Sequence, residues 1–316
     1  MNKSLLIGFF CLTLSASLMA SEVHLPWGKR AGAISQKLSG LKEGQRYSGP
    51  TSVRLGPQGD LYVLDTLGAK VERYKTDGSF VASYSYPAAS QYDEELVGID
   101  FAFGPKGELY VLEEAMQAIF VFDVKGKFQG LRPIPSLANQ PRQLMGLECD
   151  SQGRLYVVNG YDNSVTRFLL SGKDVQKAHS DIAAALTMDC EGTFWGLTFP
   201  KEDSFSVVDV VKSSAFAGRA AKKVLQMTFT ESVCDVAVLG FDKKGQLYVE
   251  AAEGAIERPK VRRIYVFSPT GKELKRFVVP PKPRLLTMIR SRILLPDGTL
   301  FCVRVKKDGF VLQSFP

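Results

Sequence analysis

Histidine is scarce in this chain: His24 and His179 are the only two among 316 residues, far apart and without a metal-ligand partner at close spacing. A zinc site built from three histidines is therefore excluded by count. No Gly-x-Ser-x-Gly elbow occurs and neither histidine has a recognisable catalytic context, so a serine–histidine triad finds no support. None of the five cysteines forms Cys-x-x-Cys or Cys-x-x-Cys-His, and thioredoxin-like redox chemistry and c-type haem both lack their local motif. Beyond the N-terminal segment no apolar run approaches the roughly 20 residues that a membrane-spanning helix needs. No segment outside loops carries a pattern that calls for a long helix.

What is present begins with Lys3, an apolar run from Leu5 to Leu14 and small residues ending at Ala20, before Ser21-Glu22. This reads as a secretory signal peptide over residues 1–20, leaving residues 21–316 as the exported protein, periplasmic or secreted. Cys11 lies in the signal. Cys149, Cys190, Cys234 and Cys302 are thus addressed to a compartment where disulfides persist. Cys149 and Cys190 hold nearly matching places in neighbouring repeats, which suits a disulfide and two buried thiols equally. The formal charge of +7 includes basic clusters at Arg258–Arg263 and Lys272–Arg284. Such clusters attract anionic lipid, glycan or nucleic acid, or simply solvate loops.

One phrase recurs along the chain: a short apolar strand, a turn closed by glycine, and a strand typified by Leu-Tyr-Val. It reads Gly56-Pro57-Gln58-Gly59 then Leu61-Tyr62-Val63, and Gly104-Pro105-Lys106-Gly107 then Leu109-Tyr110-Val111. It returns before Leu155-Tyr156-Val157, in weaker form before Phe194-Trp195, before Leu247-Tyr248-Val249, and before Leu300-Phe301-Cys302. The turn glycines Gly59, Gly107, Gly153, Gly192, Gly245 and Gly298 stand 48, 46, 39, 53 and 53 residues apart. A period in the forties is that of one four-stranded propeller blade. Further strands follow within each copy, as in Lys70–Tyr74, the turn Thr76-Asp77-Gly78 and Phe80–Tyr84, the pattern of a β-meander. The chain is accordingly expected to be all-β: one six-bladed β-propeller with blades near 50–87, 97–135, 142–180, 184–227, 235–280 and 286–316. The last copy supplies only three strands before the chain stops. The segment Glu22–Ser48, with Val23-His24-Leu25-Pro26-Trp27, is expected to complete that blade and close the ring, removing an exposed edge.

Gly59-Asp60-Leu61-Tyr62-Val63-Leu64-Asp65, followed by Val71-Glu72-Arg73-Tyr74 and Asp77-Gly78, resembles a blade of the NHL-repeat propellers, and the likeness recurs from Pro50 to Phe315. The family's usual Asn and Arg after the second strand are mostly replaced, by Gly68–Lys70 in the first copy, with Asn163 in the third the nearest match. The resemblance implies the fold, and a role in binding through loops and one channel mouth. Nucleic-acid binding, which some intracellular NHL propellers perform, conflicts with the export signal. The similar amidating lyases carry a histidine-bound metal that two histidines do not supply.

Candidate chemistry lies on the innermost strands. Counting back from each turn glycine, the fourth and sixth residues are mostly large and apolar and read as packing between blades. The fifth and seventh are mostly small, so Arg54, Asp100 and Glu148 stand out as charged groups able to converge near the axis, as a ligand site or a structural ion pair. Arg292 is a companion if its alignment slips by one residue. Two functional readings follow. The first is a non-catalytic module binding an envelope or extracellular protein, peptide or glycan, without a cofactor. The second is a calcium-dependent hydrolase, lactonase or lyase at the channel mouth, with Asp100 and Glu148 as oxygen ligands. The loops 88–96, 215–223 and 253–263 are further candidates for recognition.

Overall fold

A computed structural model of the chain describes residues 22–36, 49–87, 97–135, 143–162, 164–179, 183–189, 191–200, 205–213, 221–255, 258–282 and 288–316. Among the described residues there is no helix, and none therefore long and apolar enough to cross a membrane. The strands form six four-stranded antiparallel meanders arranged as a β-propeller. The first blade runs outward from β2 (Ser52–Leu55) through β3 (Leu61–Asp65) and β4 (Lys70–Tyr74) to β5 (Phe80–Ser85). The second uses β6 (Gly98–Phe103), β7 (Leu109–Glu113), β8 (Ala118–Phe122) and β9 (Phe128–Pro133). The third uses β10 (Leu144–Cys149), β11 (Arg154–Asn159), β12 (Ser164–Leu169) and β13 (Gln176–His179). The fourth uses β14 (Ala183–Met188), β15 (Phe194–Thr198), β16 (Val207–Ser213) and β17 (Lys222–Thr228). The fifth uses β18 (Val233–Phe241), β19 (Leu247–Ala255), β20 (Arg258–Phe267) and β21 (Glu273–Val278).

The last blade holds β22 (Arg292–Leu294), β23 (Leu300–Val305) and β24 (Gly309–Phe315), and its outer strand is β1 (Glu22–Pro26) from the other end of the chain. The expected closure is therefore present, in antiparallel register from Glu22 opposite Gln313 to Pro26 opposite Gly309. The residues after β1 bind the closing strand to the first blade as well. Trp27 Nε1 donates to the Lys306 carbonyl at 3.0 Å. The buried Lys70 ammonium donates to the carbonyls of Arg30 (3.1 Å) and Ala33 (2.9 Å), and the Ser35 N–H donates to Asp65. One short segment thus grips both sides of the closing seam.

The core is divided among the seams, because each sheet buries both faces against its neighbours. Val23, Leu25, Ile34, Val53, Val63, Phe310 and Leu312 fill the seam between the last blade and the first. Separate apolar clusters occupy the other five.

The recurring tyrosine has a matching role. Tyr156 of the third blade donates to Asp150 at 2.9 Å and lies beside Gly192 in the next blade's turn, where a Cβ would come within 2.8 Å of its hydroxyl. Tyr248 of the fifth blade stands in the same relation to Gly298, whose added Cβ would lie 2.6 Å from the hydroxyl. Gly298 also has a φ of 93°, which a side chain tolerates poorly. Gly298→Ala is expected to destabilise by about 2–3 kcal/mol, combining backbone strain with the tyrosine clash. Gly59→Ala, with positive φ but open space around it, should cost only the smaller backbone share. Urea titration of the two variants separates the contributions.

Candidate functional site

The inner strands bring Arg54, Asp100 and Glu148 together. Arg54 Nη2 lies 3.0 Å from Asp100 Oδ2 and Arg54 Nη1 lies 3.0 Å from Glu148 Oε2. A fourth group completes the cluster: Arg290 donates from Nε to Asp100 Oδ2 at 3.1 Å and from Nη2 to Glu148 Oε1. Ser52 Oγ donates to Asp100 Oδ1 at 2.7 Å, and the Leu147 N–H donates to Asp100 Oδ2 at 3.0 Å. Irregularities in β6 between Gly98 and Asp100, and in β10 between Leu144 and Gly146, occur beside these residues, as bulges do where a strand must re-aim a side chain. Phe101 adds a ring face 5.9 Å from the Arg54 guanidinium carbon.

These contacts link four blades: the first through Ser52 and Arg54, the second through Asp100, the third through Leu147 and Glu148, and the last through Arg290. The third and last blades stand opposite each other in a ring of six. The Arg290–Glu148 pair therefore crosses the channel, and the cluster ties the ring across its middle. Two guanidinium groups balance two carboxylates, and every carboxylate oxygen accepts at least one hydrogen bond. Asp100 is 0% exposed. Burial by itself would raise its pKa, but Arg290 and Arg54, helped by the Leu147 N–H and Ser52, outweigh it and hold the carboxyl at about 2. Burial opposes the charge on Arg54, yet Asp100 and Glu148 push its pKa above the ordinary value.

Arg292 does not join this cluster. It occupies the sixth position before the turn glycine, and in the last blade that position faces the preceding blade rather than the channel centre. Its Nε donates to Glu250 Oε1 at 3.0 Å and its Nη2 to the Pro280 carbonyl at 2.8 Å. Glu250 also lies 3.4 Å from Arg262, which pairs with Asp235 at 2.8 Å, as does Lys282. The inner strands therefore do not divide by position into packing and axial residues, contrary to the expectation from the sequence. Ala102 and Ile293, both fifth positions, and Val238, a seventh, all pack in seams.

Arg290 escaped the sequence comparison because it precedes the three-residue strand β22. Its backbone is held instead by a parallel bridge to Ser52, with Val53 N–H donating to its carbonyl at 3.2 Å. The available signal was a second arginine two residues before Arg292. Among the cysteines, Cys149 is a free thiol, its pKa pushed up to about 12 by burial and then by Asp150; Cys190, its suggested partner, lies outside the described residues. The loop 88–96 and much of loop 215–223 also lie outside them.

Beside the ionic cluster, toward the third to last blades, the channel retains a cavity of about 120 Å³. Met145, Val158, Val238, Leu239 and Ile289 form its apolar lining, and Thr187, Glu250, Lys282, Arg290, Ser291 and Arg292 its polar lining.

The chain shares its architecture with solved β-propellers, among them six-bladed ones. A gluconolactonase from Xanthomonas campestris is 15% identical with a TM-score of 0.52, over 94% of this chain and 90% of that one. A catalytically inactive virginiamycin B lyase from Staphylococcus aureus, solved with quinupristin, is 13% identical with a TM-score of 0.51, over 94% and 99%. The β-propeller domain of Cps50 (Swd1) from Myceliophteria thermophila is similar as well, at 10% identity and a TM-score of 0.51, over 85% and 96%. At these identities the likeness concerns the fold alone. No protein-family model matches the chain, and no curated protein matches it.

Proposed function

We propose that this protein is an exported, NHL-like propeller that binds a protein, peptide or glycan of the cell envelope without catalysing a reaction on it. The observation that carries this reading is the closed hydrogen bonding of Asp100 and Glu148. A general base needs a carboxylate free to take a proton, and a calcium site needs several oxygens free to face the ion. Here the oxygens face two guanidinium groups on the channel axis. Calcium at this position would have to displace both arginines, so these residues do not fit the ion. The alternative, a calcium-dependent hydrolase, lactonase or lyase, draws on the fold shared with the gluconolactonase and the lyase, and would need its ligands elsewhere on the channel mouth.

The mouth at which the inner strands begin also carries the loops between second and third strands of each blade. Tyr161 (63% exposed) and Phe205 (49%) stand on these loops, whereas Val124 (59%) lies on a turn at the opposite end. Photo-crosslinking side chains placed at these three positions in exporting cells test the reading. Discrete envelope adducts are expected at Tyr161 and Phe205 and not at Val124. No adduct at either mouth position, together with calcium-dependent turnover of a lactone, would contradict it.

A further inference from the structure

The two ionic networks of the channel differ in charge. Arg54 and Arg290 balance Asp100 and Glu148. In the neighbouring network Arg262, Lys282 and Arg292 face only Asp235 and Glu250, leaving one positive charge in excess among the described residues. The cavity lies against this excess. Arg290 engages its Nε and Nη2 with Asp100 and Glu148, and its Nη1 has no acceptor among the described residues. Lys282 has Asp235 as its one described partner, although an ammonium carries three donors. Both groups line the same cavity, together with Arg292, its partner Glu250, and the apolar side chains of Met145, Val158, Val238, Leu239 and Ile289.

We propose that this half-channel is a binding site for a small monocarboxylate: one carboxylate taken by Arg290 and Lys282, on a short aliphatic stem laid against the apolar part of the lining. The proposal rests on reading the channel as a binding site, and it names the chemistry of the group held there. Size sets the first limit, since about 120 Å³ is close to the roughly 150 Å³ of an apolar cavity that accepts benzene. A ligand part of four to six non-hydrogen atoms fits and a sugar ring with its substituents does not. Charge sets the second. One carboxylate cancels the single excess charge, whereas a dianion such as phosphate or sulfate would leave a net negative charge in a partly desolvated site. Shape sets the third, because a planar carboxylate suits a guanidinium edge, and the apolar part of the lining offers a hydrated ion nothing.

The test titrates sodium butyrate, butyramide and inorganic phosphate into the purified protein, with binding followed by ligand-observed and backbone amide NMR. Butyrate is expected to saturate with a dissociation constant of about 1–10 mM, and butyramide and phosphate to bind at least about tenfold more weakly. Lys282→Met, at a partly exposed position, should weaken butyrate about tenfold while leaving the thermal melt nearly unchanged. Ala237→Leu, which fills the cavity from its rim, should abolish saturation with a melt within a few degrees of wild type. No saturation by butyrate up to about 50 mM, equal binding of butyramide, or unaltered binding in Ala237→Leu would overturn the proposal. These readouts need neither an envelope partner nor turnover. Absence of a crosslinked partner therefore leaves a butyrate result standing, and failure of butyrate leaves the crosslinking result standing.

Discussion

Asp100→Ala is expected to destabilise the protein by about 3–5 kcal/mol, among the largest effects of any single substitution, because it leaves two partly buried guanidinium groups without their counter-charge. Arg54 and Arg290 would share Glu148 alone, and Ser52 and the Leu147 N–H would lose their acceptor. Urea unfolding at neutral pH measures the loss. A cost below about 1 kcal/mol would mean that the cluster is solvated and does not tie the ring.

The same residue sets an acid response. The Asp100 carboxyl lies at about 2 in the folded protein against an ordinary value of 3.8. A carboxyl whose folded pKa is lowered stabilises the fold above the unfolded pKa and loses that contribution as pH falls through the folded one. Asp100 should therefore contribute on the order of 2 kcal/mol at neutral pH, lost between about pH 4 and pH 2. In Asp100→Asn that part of the acid slope should vanish, whatever the variant's stability at pH 7.

Removal of the closing strand should have the second large effect. β1 places Val23 and Leu25 in the seam core, with Leu25 fully buried, and it covers the edge of β24 from Gly309 to Gln313. Leu25→Ala should cost about 2–5 kcal/mol. Deletion of residues 22–26 should open a five-residue edge on β24, so that the protein either fails to fold cooperatively or associates edge to edge. Size-exclusion chromatography with light scattering and a melting curve distinguish these outcomes from the contrary one, a stable monomer melting as the intact protein does.

The ring was legible because its determinants are local. A glycine at positive φ, a Leu-Tyr-Val strand and a regular period can each be read without knowing what lies across a seam, and the missing fourth strand of the last copy implied the closure by β1. Arg54, Asp100 and Glu148 were legible as charged exceptions at otherwise small positions. Arg290 was not, since its place depends on a backbone bridge to Ser52 from residues that form no regular strand. The second network was hidden for a related reason. Glu250 and Arg262 lie on β19 and β20, outside the inner strands, and the register shift between Val238 and Gly240 alters which face of β18 each residue presents. Charge pairs between different strands of different blades leave no spacing for a one-dimensional comparison to find.

With every oxygen of Asp100 and Glu148 engaged by Arg54, Arg290 and their neighbours, these carboxylates hold a binding scaffold together and do not form a calcium centre. The most direct measurement is the metal content of the purified protein after gentle dialysis, combined with its thermal melt with and without chelator. Less than stoichiometric calcium is expected, and a melt that neither chelator nor added calcium moves. Stoichiometric calcium whose removal lowers the melt, and whose binding is abolished by Asp100→Ala or Glu148→Ala, would contradict it.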